Sequence, residues 1–222
     1  MMTTLTTAPL APLLGRLFEE EAKASPETSP AMLKLSPEAR TRLMRSKVDY
    51  LDYYGCLKDA PLAVSQETGR LLYMLARSSR ARSIVEFGTS FGISTLHLAA
   101  ALRDNGGGRL ITTEFEPSKV VRARDNLTAA ELIDLVEIRE GDALQTLRIN
   151  LPETIDLVLL DGAKALYPDV LCLLESRLKP GAFIVGDNAD DSPDYLAHVR
   201  STANRYMSVP FGDGVELSMR LG

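Results

Sequence analysis

The residues best suited to chemistry in this 222-residue chain are two acids, an amide and a lysine that follow short apolar runs. One run closes on Asp161-Gly-Ala-Lys164 and the next on Asp187-Asn188. If these runs are neighbouring strands, Asp161, Asp187 and Asn188 come within reach of a single point. Oxygen donors without histidine or cysteine select a hard cation, Mg²⁺ first and Mn²⁺ or Ca²⁺ as alternatives, over zinc. Magnesium wants six oxygens, which leaves positions for water and for two oxygens of a substrate, and a vicinal diol on an aromatic ring would fit. Lys164, just past Asp161, is expected to have its pKa lowered by nearby positive charge and so to take a proton from a substrate hydroxyl. Asp190 and Asp191 read as solvated loop.

A second cluster lies upstream, at Glu86-Phe-Gly88-Thr-Ser-Phe-Gly92-Ile-Ser94. The dinucleotide fingerprint G-x-G-x-x-G would need glycine at 88, 90 and 93, but Ser90 and Ile93 stand at the last two, which disfavours NAD. The spacing instead gives E-x-G-x-x-x-G, a loop type of enzymes that bind S-adenosylmethionine. No pyrophosphate needs cradling there, and an acid at the strand end meets the amino or cationic end of the ligand. Glu86 takes that acidic place. Glu114 lies 26 residues after Gly88, where an acid accepts hydrogen bonds from ribose hydroxyls. Gly141-Asp142, after a third strand, is placed to reach an adenine.

These positions require a sheet to hold them. From residue 83 the chain alternates short apolar runs with amphipathic stretches: Ser83–Phe87, Arg109–Thr113, Leu135–Arg139, Ile155–Leu160 and Ala182–Gly186 as strands, with helical patterns at Thr95–Leu102, Pro117–Ala130 and Tyr167–Leu178. That rhythm predicts an α/β fold with a Rossmann-like, doubly wound, mostly parallel sheet. Arg205–Val209 and Val215–Met219, joined only by the turn Pro210–Gly214, add an antiparallel C-terminal hairpin and bring the sheet to seven strands. Residues 1–60 have a different texture. Leu13, Leu14, Leu17 and Phe18 recur at helical spacing, Ser25–Pro30 reads as loop, and Ser36-Pro37-Glu38 restarts a helix. They are expected to form a helical flank or lid beside a domain spanning residues 61–222, whose first helix begins at Ser65.

Composition narrows the functions. Hydrophobic residues make up 45% and charged residues 25%, as in an ordinary globular protein. A formal net charge of −5 argues against nucleic acid as the main partner, although Arg40, Arg42, Arg45 and Lys47 leave a local basic patch open. Cys56 and Cys172 are read as buried free thiols in a cytoplasmic protein, and no apolar stretch is long enough to span a membrane. His97 and His198 have no partner by spacing and are read as structural, while Tyr50, Tyr53 and Tyr54 are read as helix packing or a dimer contact rather than ligand stacking.

Taken together, these residues resemble the divalent-metal-dependent class I O-methyltransferases that include the catechol and caffeoyl-CoA O-methyltransferases. The resemblance covers about residues 60 to 222 and rests on Ala63-Val-Ser-Gln-Glu-Thr-Gly69, Val85–Ser94, Glu114, Gly141-Asp142, Asp161–Lys164, Asp187-Asn188 and Gly212-Asp-Gly214. It implies that Val64, Glu86, Gly88, Ser94, Glu114, Asp142 and Asp161 line the S-adenosylmethionine pocket. It further implies that Asp161, Asp187 and Asn188 hold the metal and that Lys164 is the base for methyl transfer to a small hydroxylated aromatic molecule. Many relatives read Asp-Ala-Asp-Lys where this chain has Asp161-Gly-Ala-Lys164, and Ser90 stands where several carry a tyrosine. Two further readings stay open: a tRNA hydroxyuridine O-methyltransferase of the same fold, and a catalytically silent S-adenosylmethionine-binding protein. A homodimer through the apolar faces of the N-terminal helices is the expected assembly.

Overall fold

The computed structural model describes residues 2–25, 29–212 and 214–222. Pro26, Glu27 and Thr28 of the expected loop, and Asp213 of the expected turn, lie outside the described residues.

The strands are β1 (Ser83–Phe87), β2 (Arg109–Glu114), β3 (Val136–Glu140), β4 (Ile155–Leu160), β5 (Leu178–Gly186), β6 (Tyr206–Pro210) and β7 (Glu216–Arg220). They form one sheet in the order β3-β2-β1-β4-β5-β7-β6. Pairing is parallel from β3 through β5, and β7 runs antiparallel to both β5 and β6. The helices are α1 (Leu10–Lys23), α2 (Pro37–Met44), α3 (Tyr50–Gly55), α4 (Gln66–Ser78), α5 (Ile93–Asp104), α6 (Pro117–Ala129), α7 (Ala143–Thr146), α8 (Tyr167–Leu174) and α9 (Pro193–Arg200). Among the described residues no helix is long and apolar enough to cross a membrane.

Side-chain alternation along the central strands divides the core in two. Ile84, Leu110, Leu157 and Leu159 face one way and pack with residues of α1, α4 and α5. Their neighbours Val85, Ile111, Val158 and Leu160 face the other way and pack with α7, α8 and α9. With both faces covered, every residue of β4 is buried, which is why that strand reads as an apolar run rather than an alternation. Helix starts follow the expected chemistry: the Ser36 and Ser65 hydroxyls accept from the Ala39 and Thr68 amides at the heads of α2 and α4.

The structure departs from the sequence reading in several places. The helix expected over residues 167–178 ends as α8 at Leu174, and β5 begins at Leu178 rather than Ala182. The sheet accepts Pro180 and Gly181 inside β5 because the register slips there, from Ile155 opposite Leu178 to Leu157 opposite Phe183. The cysteines are free but not buried: Cys56 is half-buried at the end of α3 and Cys172 lies on the exposed side of α8. The apolar face of α1, which motivated the dimer, is covered within the chain, because Leu10, Leu13, Leu14 and Leu17 belong to the core shared with α5. The N-terminal region therefore divides its work, with α1 as flank and α3 reaching the open end of the sheet. Of the basic patch, Arg40 donates to the Met32 and Leu35 carbonyls and Lys47 pairs with Asp169.

Candidate active site

The strand order reverses direction between β1 and β4, and in open α/β sheets the ligand crevice lies at the carboxyl ends of such a pair. There an open cleft is lined by residues at the ends of β1, β2, β3 and β4, by the first turn of α6 and by two tyrosines of α3. Gly88 brings the β1 and β4 ends together. Its φ is +99°, and a Cβ there would lie 2.5 Å from the Asp161 carbonyl oxygen, so only glycine permits this approach.

Glu114 fixes one end of the cleft. Its two carboxylate oxygens accept from the Ser90 and Glu116 amides at 2.9 and 3.0 Å, which aims the remaining lone pairs outward. Burial raises its pKa, and the Lys119 charge and those amides oppose the rise. Gly141 and Asp142 line the same end, with Asp142 also capping α7 through the Leu144 amide. Thr113 lines the same wall, and its hydroxyl is itself buried without a hydrogen-bond partner among the described residues.

Other expected cofactor residues sit behind the wall. Glu86 is fully buried and accepts from Ser94 Oγ at 2.5 Å and Thr95 Oγ1 at 2.6 Å. Burial pushes its pKa up to about 7 despite those donors. Neither Glu86 nor Ser94 lines the main cleft; they brace the glycine loop from inside, and Ser94 reaches only a small neighbouring hollow beside Leu62. Val64 is buried just before the Ser65 cap, so the cleft contact from that segment is Leu62, whose amide donates to Ser90 Oγ at 3.1 Å.

At the other end, Lys164, Asp161, Asp187 and Tyr167 form one cluster. Lys164 Nζ donates to Asp161 Oδ1 at 3.1 Å and to the Tyr167 hydroxyl at 2.9 Å, and that hydroxyl donates to the Asp187 carbonyl at 2.8 Å. Asp161 and Asp187 are near enough to share a hydrogen bond. Burial and the facing Asp161 charge push Asp187 up to about 7, and burial likewise raises Asp161. The expectation of a lowered lysine pKa rested on the positive charge of a cation and a sulfonium, which these side chains do not themselves supply. Burial alone would lower it, but Tyr167, Asp161, Tyr54 and Asp187 outweigh burial and hold Lys164 well above its usual range.

Two buried carboxylates pressed together fit a hard cation, which would replace the proton they otherwise share. Among the described residues no three His, Cys, Asp or Glu side chains gather around one ion. A third protein donor would therefore be the exposed amide of Asn188, set by a left-handed turn with φ +46° directly after Asp187. Asp190 and Asp191 lie in the following turn, and neither histidine belongs to the site: His97 Nδ1 contacts the Ile93 carbonyl and His198 pairs with Glu175.

Sequence reasoning missed four residues in and beneath this cleft. Tyr50 and Tyr54 line it rather than serving only as packing, Tyr167 anchors the lysine, and Lys119 enters from α6. The one available signal was the clustering of tyrosines at 50, 53 and 54 in an otherwise polar stretch.

Comparison with known proteins agrees with this geometry. A family model described as a methyltransferase domain matches residues 85–189. Catechol O-methyltransferase B of Danio rerio is 31% identical over 195 residues, covering 80% of this chain and 73% of that protein. The chain belongs to the class I S-adenosylmethionine-dependent O-methyltransferases. A catechol O-methyltransferase of Niastella koreensis is 35% identical over 130 residues, which is 57% of this chain, and the match spans 58% of that relative. Among solved structures, the O-methyltransferase TomG of Streptomyces achromogenes, determined in complex with SAM, is 27% identical with a TM-score of 0.64, covering 92% of this chain and 99% of that one. A Klebsiella pneumoniae structure at 23% identity and TM-score 0.69 covers 97% of this chain and 92% of its own, and shares the fold of this family member.

Proposed function

We propose that this protein transfers a methyl group from S-adenosylmethionine to a hydroxyl of a small, catechol-like aromatic molecule, with a divalent cation at Asp161, Asp187 and Asn188 and with Lys164 as general base. The observation that carries the reading is the buried Lys164 paired with Asp161, a carboxylate that faces Asp187 and lines the same cleft as the ribose-type acid Glu114. Relatives named catechol O-methyltransferase support the acceptor class.

When bound, the cofactor supplies an electrophilic methyl on sulfur, and the cation supplies Lewis acidity beside the acceptor oxygen. The chain supplies position and proton handling. Glu114 orients the cofactor from one end, and Tyr50, Tyr54 and Leu62 give an apolar wall for a flat ring. Tyr167 fixes the Lys164 ammonium from below. Once the Asp161 and Asp187 charges are engaged, burial favours the neutral amine, which accepts the hydroxyl proton. The apolar residues of α1 are covered within the chain, so a homodimer interface would not be built on them.

The test is transfer of labelled methyl to a panel of catechols and hydroxycinnamic acids, with Mg²⁺, with excess EDTA, and with Lys164→Met. The expected outcome is turnover that requires the cation and drops about 10²- to 10⁴-fold in the variant. Turnover unchanged in EDTA removes the cation from the reading, unchanged turnover in Lys164→Met removes the base, and cofactor binding without any transfer removes the acceptor class.

A further inference from the structure

Lys119 is out of place by ordinary criteria. It lies in the first turn of α6, where the helix dipole disfavours a cation, and only 4% of it is exposed. Burial pushes its pKa down, and Glu114, Glu116, Asp161 and Asp59 are the charges that oppose this. Among the described residues its ammonium makes no hydrogen bond and no ion pair, and it lies 6.0 Å from the centroid of the Phe91 ring. Lysine is rarely buried so far without a partner. Its open side is the cleft, which it lines together with Glu114 and the unpartnered Thr113.

We infer that Lys119 is a binding residue for the cofactor's ribose, acting opposite Glu114. The inference rests on the S-adenosylmethionine reading above. Glu114 has only acceptors to offer, and an ammonium has only donors, so the pair matches a vicinal diol: each hydroxyl both donates and accepts. A diol seated here gives its protons to Glu114 and receives one from Lys119, and the lysine gains the hydrogen bond that the protein does not provide. A ligand without hydroxyls leaves the buried ammonium unsatisfied and Glu114 with only its two amide donors, so Lys119 sharpens selection for a ribose.

The test is calorimetric binding of S-adenosylhomocysteine and of its 2′,3′-dideoxyribose analogue to the full chain, in wild type and Lys119→Met, together with thermal melting of each ligand-free protein. In Lys119→Met, S-adenosylhomocysteine is expected to bind at least about tenfold more weakly, about 1.4 kcal/mol. The penalty for removing the hydroxyls should shrink by a similar factor. The ligand-free melting temperature should hold or rise, because an unpaired buried charge has been removed. Equal affinity in the two proteins overturns the inference, as does a loss equally large for both ligands. Should Lys119→Met fail to fold, Lys119→Gln is read by the same criteria. A wild-type protein that does not bind S-adenosylhomocysteine overturns the functional reading, and this inference with it.

Discussion

Strand β4 carries a buried aspartate at its second residue and another, part-buried, just past its last residue, and the two are treated in opposite ways. Asp156, at the closed end of the sheet, accepts from the Arg82 and Ser83 amides at 2.7 and 2.9 Å and pairs with Lys179. Burial works against its charge, but those donors overcome it and the pKa falls. Asp161, at the open end, has Lys164 on one side and a second carboxylate on the other, and its pKa rises. The strand is shared, but Asp156 sets two amides and a lysine against a modest desolvation penalty, whereas Asp161 carries a heavier penalty with fewer donors. A carboxylate saturated with donors holds two strands together, whereas one left short of donors is available to a ligand.

The comparison is tested most severely by making the same substitution at both positions. Asp161→Asn should cut methyl transfer by at least about two orders of magnitude while leaving the ligand-free melting temperature level or higher, since it relieves a crowded charge. Asp156→Asn should do the reverse. It should cost roughly 1 to 3 kcal/mol of stability and leave turnover per folded molecule intact. Steady-state rates at saturating cofactor, paired with urea unfolding, check both. If the two variants behave alike, the division between bracing and reacting ends is wrong.

The parts of this division that involve strand ends were legible in the sequence. A buried parallel strand is a short apolar run, so its carboxyl end, and the acid standing there, can be read directly: Glu114, Asp161 and Asp187 all were. Gly88 was legible for the same reason. Residues that enter from helices were not. Lys119 occupies an ordinary polar position in an amphipathic helix, and nothing local reveals that it is buried against the cleft. Tyr50 and Tyr54 lie on a helix of six residues, too short for periodicity to orient, and far in sequence from the acids they face. The start of β5 was lost because Pro180-Gly181 looks like a turn until the bulge opposite β4 is seen. Glu86 shows the limit from the other side, since its place in the loop was read correctly but its orientation was not. Spacing gives the position of a side chain along a strand, while packing decides whether it faces ligand or core.

Glu86 gives a smaller, pH-dependent test of the same contrast. Its pKa in the folded protein is about 7, above the ordinary glutamate value it would have when unfolded. The folded state therefore retains a proton that the unfolded chain releases. This contribution to stability is complete below about pH 4.3 and is lost as the pH rises toward 7, at up to about 1.4 kcal/mol per unit. Glu86→Gln should flatten that part of the profile relative to wild type, as measured by unfolding free energies from pH 5 to 8. Parallel profiles would mean that the Ser94 and Thr95 hydroxyls hold the carboxylate ionised.

The least effect is expected where a carboxylate has a lysine partner but no burial. Lys47 pairs with Asp169 at 2.5 Å, linking the segment before α3 to α8, yet the two side chains are 52% and 42% exposed. Water competes for both ions and salt screens them, so the pair should contribute about 0.2 to 1 kcal/mol. Lys47→Ala should lower stability by no more than that, and the difference should vanish as salt is raised. Turnover is the sharper readout. Because the pair adjoins the helix that carries Tyr50 and Tyr54, an unchanged KM for the acceptor would show that those rings are held by their own packing against the core, whereas a raised KM would show that the exposed pair sets the position of α3 over the cleft.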